Sequence, residues 1–267
     1  MSLKDSVRDY WDKASCGEDL YLSSASREGY REQAKARYRL EGEMIFPFAH
    51  FQGSRGLEVL EIGVGLGADH HQFALVGARL TGIDITPRAV AHTQQRLESF
   101  GLNSSLKEAD AENLPFAAEC FDLVYSWGVL HHSPNTQSAI NEVFRVLRWG
   151  VAHIMIYNKY SIIGLMLWLR YGLGCFRPWR SLKSIYAQYL ESPGTKAYSS
   201  QEALMMFADF IHVEISTPLG HGDLLTSAVG QRHRGLALSL ARLLWPRWFI
   251  RTFFPKRGLV MLITAYK

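Results

Sequence analysis

The chain has 267 residues, enough for one well-formed core with elaborations, and a net charge of +4 with 48% hydrophobic residues. No uninterrupted apolar run approaches the ~18 residues of a membrane span, and Met1 to Ser15 alternates charges where a secretory leader would be apolar. Cys16, Cys120 and Cys175 are odd in number and unpaired in spacing, which argues against a disulfide framework or zinc knuckle and for free thiols in a reducing cytoplasm.

Residues 1–50 read as polar helix with interspersed aromatics, among them Tyr10, Trp11 and Tyr21, and predict a cap ahead of the core. The aromatics make that cap one candidate wall of a substrate pocket. The first strand is Glu58 to Ile62. It breaks into Gly63-Val64-Gly65-Leu66-Gly67, and a helix follows from about Ala68. Strand, glycine turn and helix form the first unit of a nucleotide-binding α/β fold. Glycine allows positive φ and close backbone approach, and the free N–H groups of the helix attract an anionic group. Gly63-x-Gly65-x-x-Ala68 also satisfies a dinucleotide fingerprint, so a nicotinamide-dependent oxidoreductase stays open at this point.

Strands and helices then alternate: a strand at 79–84, a helix at 88–100, strands at 106–110 and 121–126, a helix at 135–147 and a strand at 151–157. That rhythm predicts βαβ units and a parallel sheet, with the ligand at the carboxyl ends of the strands. Asp84 ends the second strand, 21 residues after Gly63, where an acid can accept both hydroxyl hydrogens of a ribose. Asp110 ends the third, where a carboxylate can meet an adenine amino group while Ala111 leaves room for a flat ring. Beyond Tyr157 lie an apolar stretch at 162–176, a helix at 198–210, a strand at 213–217, an insertion at 218–258 and a last strand at 259–266.

Taken together, Glu61-x-Gly63-x-Gly65-x-Gly67, Asp84, Asp110-Ala111-Glu112-x-Leu114-Pro115-Phe116 and Phe121-Asp122-x-Val124 resemble class I S-adenosylmethionine-dependent methyltransferases. Leu130-His131-His132 is similar to their menaquinone and ubiquinone methyltransferase-like branch. The resemblance implies a Rossmann-like, doubly wound sheet of seven strands, mostly parallel with the last antiparallel, and helical cap insertions. One domain would span 1–267, its core at about 51–157, 211–217 and 259–267, its cap at 1–50, 158–210 and 218–258.

By the same resemblance, S-adenosyl-L-methionine is the cofactor and S-adenosyl-L-homocysteine the product. Glu61, Gly63, Gly65 and Gly67 would line its methionine part. Asp84 would hold the ribose, Ile85 would stack on adenine, and Asp110 with Ala111 would hold the adenine edge. Ser126 and Trp127 would sit beneath the sulfonium. One departure stands out: Leu147-Arg148-Trp149-Gly150-Val151 occupies the place of the family's proline-glycine turn, so a shortened or reshaped turn, at a local cost in stability, is expected before the fifth strand.

A base is needed only where the methyl acceptor must first lose a proton. His131, His132 and Tyr157 are the candidates, with His131 preferred, although a histidine packed on the sheet is the ordinary role for either ring. His70 and His71 read as structural. No histidine pair has cysteines or carboxylates at ligand spacing, so no metal is expected.

Trp168 belongs to an apolar roof at 164–173, and His221, Arg232 and His233 to glycine-rich polar loops shaped for an acceptor. After Asp223 the chain has eight Lys and Arg and no acid, leaving the first 223 residues at about −4. The basic segment 232–257 therefore predicts an anionic partner: a membrane surface touched peripherally, or an acidic substrate. Nucleic acid is disfavoured, because Ser126-Trp127-Gly128-Val129 stands where an Asn-Pro-Pro-Tyr-like tetrapeptide would be. The reading is a cytoplasmic methyltransferase of an apolar, acidic or neutral small molecule, methylated on oxygen or carbon rather than nitrogen. The alternatives are the oxidoreductase and a non-catalytic cofactor- or membrane-binding protein.

Overall fold

The computed structural model describes residues 2–226 and 245–267. Seven strands form one sheet: β1 (Glu58–Ile62), β2 (Arg79–Asp84), β3 (Ser105–Glu108), β4 (Phe121–Trp127), β5 (Leu147–Tyr157), β6 (His212–Ser216) and β7 (Val260–Tyr266). Their order is β3-β2-β1-β4-β5-β7-β6. Neighbours from β3 to β5 are parallel, whereas β7 runs antiparallel between β5 and β6. The chain reverses direction outward from β1, so the β1 and β4 ends flank the switch point where open α/β sheets bind ligands.

Both sheet faces are buried, as β-rich runs such as Val59–Ile62 and Leu123–Tyr125 require. The first three helices are α1 (Leu3–Lys13), α2 (Glu18–Tyr21) and α3 (Arg27–Ala49). Ile45, Phe48 and Ala49 of α3 pack with Val59, Leu123 and Tyr125, and Phe73 of α4 (Ala68–Leu75) joins them. On the other face Leu60, Val124 and Ile154 meet Ile140 and Val143 of α6 (Thr136–Val146) and Ala203 of α9 (Ser200–Met206). Residues 1–50, expected as cap, therefore divide. The end of α3 completes a core layer, because its apolar residues have a sheet face to cover, while α1 and the middle of α3 lie on the cleft side. Ala203 and Phe207 likewise belong to the core rather than to the cap.

The helix α5 (Pro87–Phe100) begins as its sequence asks: Thr86 caps it, Pro87 opens it and Gly101 closes it at φ 70°. The expected turn at 147–151 does not form. β5 starts at Leu147, directly after α6, and Gly150 runs so close to β4 that a Cβ there would stand 2.1 Å from the Asp122 carbonyl oxygen. Among the described residues the other α-helices are α7 (Ile162–Tyr171), α8 (Leu182–Tyr189) and α10 (Arg247–Phe253). Ile163 and Leu167 of α7 close on Ile185 and Tyr186 of α8 as a satellite core. Among the described residues no helix is long and apolar enough to cross a membrane.

Candidate active site

A cleft of about 260 Å³ opens at the carboxyl ends of β1, β2 and β4. Its floor is the turn after β1, where the three glycines do three different things. Gly63 (φ 83°) lies under the loop after β4, and a Cβ would come 2.1 Å from Val129 Cγ2. Gly67 (φ 69°) caps α4 against the Thr93 side chain. Gly65 (φ 53°) faces open cleft, with nothing within 4 Å of the place a Cβ would take. That open position is a space left for a ligand to approach the backbone.

Asp84 sits at the cleft wall with both oxygens oriented. Its Oδ1 accepts from Thr86 N (3.0 Å) and Thr86 Oγ1 (2.9 Å), and its Oδ2 accepts from Gly65 N (3.2 Å). Burial raises its pKa, and these donors offset part of that cost. Ile85 is beside it in the wall. Further along, Asp110 Oδ1 accepts from Glu112 N (2.9 Å), while Lys4 of α1 donates to Asp110 and Glu112. Asp110 follows β3 by two residues, since pairing with β2 ends at Glu108. Arg88 binds Glu18 beside α2, so ion pairs tie the amino-terminal helices over this end of the cleft.

Behind the glycine turn Glu61 is 4% exposed and 2.8 Å from Nδ1 of His70, whose Nε2 meets Ser104 Oγ at 2.7 Å. Burial, then the nearby charge of Asp69, pushes Glu61 well above the usual carboxylate range. Burial alone lowers His70 to about 3, so this ring is neutral. Asp69 is equally buried, but Arg37 (2.6 Å and 3.1 Å), Tyr125 OH (2.8 Å) and Tyr38 OH (3.0 Å) all donate to it. Desolvation works against its charge, yet Arg37 and these donors hold it below its ordinary value. Arg37 also lies 5.9 Å from the Trp127 ring and lines the cleft.

The cleft wall also carries Trp11, Cys16, His132, Tyr157 and Glu191. Tyr157 OH donates to Glu191 Oε2 (2.8 Å), and His132 Nε2 is 3.3 Å from the same oxygen. Trp11 packs edge-on against His132 at 5.3 Å. The Nδ1 of His132 meets Ser192 Oγ (2.8 Å) and Thr195 Oγ1 (3.1 Å). Thr195 spends its own hydrogen on the Ser192 carbonyl (2.7 Å), so towards His132 it can only accept. Ser192 Oγ can either donate to or accept from Nδ1, and Nε2 is buried beside the Glu191 carboxylate without a hydrogen bond of its own.

His131, the ring preferred from sequence, does not reach the cleft. It is fully buried between His132 and Tyr157, with centroids 4.2 Å and 4.0 Å away, because consecutive residues of the short 130–132 turn point in different directions. His131, His132 and Glu191 together offer ligand atoms within 4.8 Å of one another, a grouping the sequence did not disclose.

Other expected residues separate in the same way. Glu61, Gly63, Gly65, Asp84, Ile85, Asp110, Ala111, Trp127, Trp11, His132 and Tyr157 come together at the cleft. Gly67 does not line it, and Ser126 is buried with its hydroxyl on the Ile62 carbonyl (3.0 Å). Tyr10 packs behind Trp11, Tyr21 is outside the wall, and Trp168 packs with the α7–α8 satellite core. His221 stands one layer back, 3.8 Å from Glu41, which does line the cleft. Arg232 and His233 lie outside the described residues. Sequence reasoning missed Arg37, Asp69 and Glu191, whereas His70, read as structural, is buried off the cleft against Glu61. An acid in the first turn of α4 was the available signal for Asp69, and nothing local marks Glu191.

Known proteins resemble part of this sequence and share the fold. Residues 60–155 match the methyltransferase domain family. An uncharacterised protein of Mycobacterium tuberculosis is 38% identical over 96 residues, 36% of this chain and 35% of that protein. Sterol methyltransferase-like 1 of Botryococcus braunii is 31% identical over 109 residues, 40% of this chain and 28% of that one. The matched stretch thus spans well under half the length of these curated relatives. A S-adenosylmethionine-dependent methyltransferase of Archaeoglobus fulgidus superposes with a TM-score of 0.56 at 17% identity, covering 94% of this chain and 98% of that chain. Its sheet and this one share the same fold. Residues 60–155 thus match a methyltransferase domain, and the strand order agrees with the fold of the superposed structure.

Proposed function

We propose that the protein transfers a methyl group from S-adenosylmethionine to an apolar small-molecule acceptor, through oxygen or carbon. The observation that carries the cofactor half is Asp84. Two backbone amides and a hydroxyl fix its carboxylate beside Gly65, where the floor of the cleft is open. Asp84 would bind the ribose hydroxyls, Ile85 and Ala111 would flank the adenine, and Asp110 would take its amino group. Glu61 and Arg37 stand at the methionine end, a hydrogen-bond acceptor for an ammonium and a guanidinium for a carboxylate. Bound there, the cofactor supplies an electrophilic methyl group to whatever nucleophile the other end of the cleft presents.

At that end the chain's residues position and deprotonate. Trp11, Trp127 and Met155 give the wall an apolar character suited to a greasy acceptor. His132 Nε2 would take the acceptor's proton, and the Glu191 carboxylate 3.3 Å away would stabilise the imidazolium formed. Oriented contact between two bound reactants supplies much of such a rate enhancement. The Leu130-His131-His132 run supports a quinone methyltransferase-like acceptor, and the sterol methyltransferase-like relative supports a lipid of similar polarity.

An oxidoreductase reading would rest on Gly63-x-Gly65-x-x-Ala68 alone. Calorimetric titration with S-adenosylhomocysteine, NADH and NADPH separates the two. Micromolar binding of the homocysteine product alone is expected. Binding of a nicotinamide instead would return the glycine turn to the dehydrogenases.

A further inference from the structure

We infer that the face built by α7, the 173–180 turn and α10 docks on an anionic membrane surface. Residues 162–190 and 245–258 together hold eight Lys and Arg and not one Asp or Glu. The same stretches expose large apolar side chains that the fold leaves uncovered. Leu165 (53% exposed) and Leu169 (47%) lie one turn apart on α7, and Phe176 (88%) and Trp179 (78%) follow it. On α10, Trp248 (74%) and Phe253 (59%) are exposed. The two elements are neighbours: Ile162 and Ile250 share a small core, and Ile162 N donates to the Arg257 carbonyl (2.9 Å).

Exposed apolar groups interspersed with cations only are rare on a surface that meets nothing but water. Leucine, phenylalanine and tryptophan tips can enter the headgroup–acyl boundary, while arginine and lysine meet anionic headgroups. Nucleic acid would suit the charge but gives exposed leucines nothing to do. The fold also places this face at the acceptor end. The segment 158–190 leaves the core just after Tyr157 and returns just before Glu191, and both residues line the cleft. A membrane-dissolved acceptor would then have a short path to His132. That last step rests on the proposed apolar acceptor; the docking itself does not.

Flotation of the whole protein with vesicles tests this directly. Neutral phosphatidylcholine vesicles are compared with vesicles in which about a quarter of the lipid is phosphatidylglycerol. Co-flotation with the anionic vesicles, falling as salt is raised, is expected, with little on the neutral ones. Arg170→Ala and Arg251→Ala should each weaken binding roughly fivefold, and Trp248→Ala should weaken it as well. All three positions are exposed, so circular dichroism melts should match the parent. Absence of vesicle binding, binding untouched by these variants, capture of RNA in place of vesicles, or a dimer that the same variants dissociate would each overturn the inference. S-adenosylhomocysteine binding is measured in parallel, so failure of the cofactor reading and failure of docking are told apart.

Discussion

Glu61 and His70 form a buried pair in which His70 Nδ1 lies 2.8 Å from Glu61 Oε2, one residue from the glycine turn and shielded from solvent. The ring does not line the cleft; it sets where the carboxylate points, and Ser104 fixes the ring from the other side. His70→Ala should therefore weaken S-adenosylhomocysteine binding about tenfold and cost about 1–3 kcal/mol of stability, the price of a buried carboxyl without its partner. Calorimetry and urea unfolding measure the two effects. Parent-like affinity in a folded variant would remove Glu61 from the cofactor site.

The contrast between Gly63 and Gly65 gives a second test. Gly63→Ala would drive a methyl into Val129 at a positive φ, so its main effect should be on folding. Gly65→Ala meets open space, so the strain of its left-handed backbone, about 1–2 kcal/mol, is the only folding cost. It should lower the melting temperature by only about 2–8 °C and yet abolish most cofactor affinity, because the methyl occupies the cleft. Equal losses of stability in the two variants would mean that Gly65 is no contact surface.

These residues also show where sequence was informative. Gly63, Gly65 and Asp84 act through the local backbone, the end of a strand and the turn after it, and such placements survive as spacing. The sheet was legible for the same reason: each strand's apolar run is bounded by its own breakers. His70, Arg37 and Glu191 act through partners 9, 32 and 59 positions away, Glu61, Asp69 and His132. No periodicity carries such a meeting. The expectation for 147–151 failed because a missing proline-glycine pair was read as an altered turn, whereas the close approach to Asp122 makes Gly150 part of a strand.

The trio of His132, Tyr157 and Glu191 is expected to work on protons. His132→Asn should lower kcat by about 10²-fold or more while leaving S-adenosylhomocysteine affinity near the parent value. Glu191→Gln should have a smaller effect of the same kind. His131→Asn should act on stability, since its ring is enclosed by His132 and Tyr157. A chelator should leave the rate unchanged, because the proposed proton transfer through His132 needs no ion. Activity lost to a chelator and restored by zinc would reassign the group as a metal centre.

Asp223 offers a pH test of how the 218–258 insertion is anchored. Its side chain is 1% exposed and accepts from Gly220 N (3.0 Å) and Leu259 N (3.0 Å and 3.2 Å), pinning the start of the insertion to the approach to β7. Burial raises its pKa to about 6 from 3.8, against the pull of those amides. The folded state then holds this proton more tightly than the unfolded chain. Its contribution to stability is complete below about 3.8 and is lost as pH rises through about 6. Asp223→Asn cannot titrate, so the difference between parent and variant isolates the effect. Denaturant unfolding should find the parent favoured at pH 4 relative to pH 7.5 by up to about 3 kcal/mol. A difference that does not move with pH would mean that the carboxylate stays ionised in the folded protein, held by its amide donors against the cost of burial.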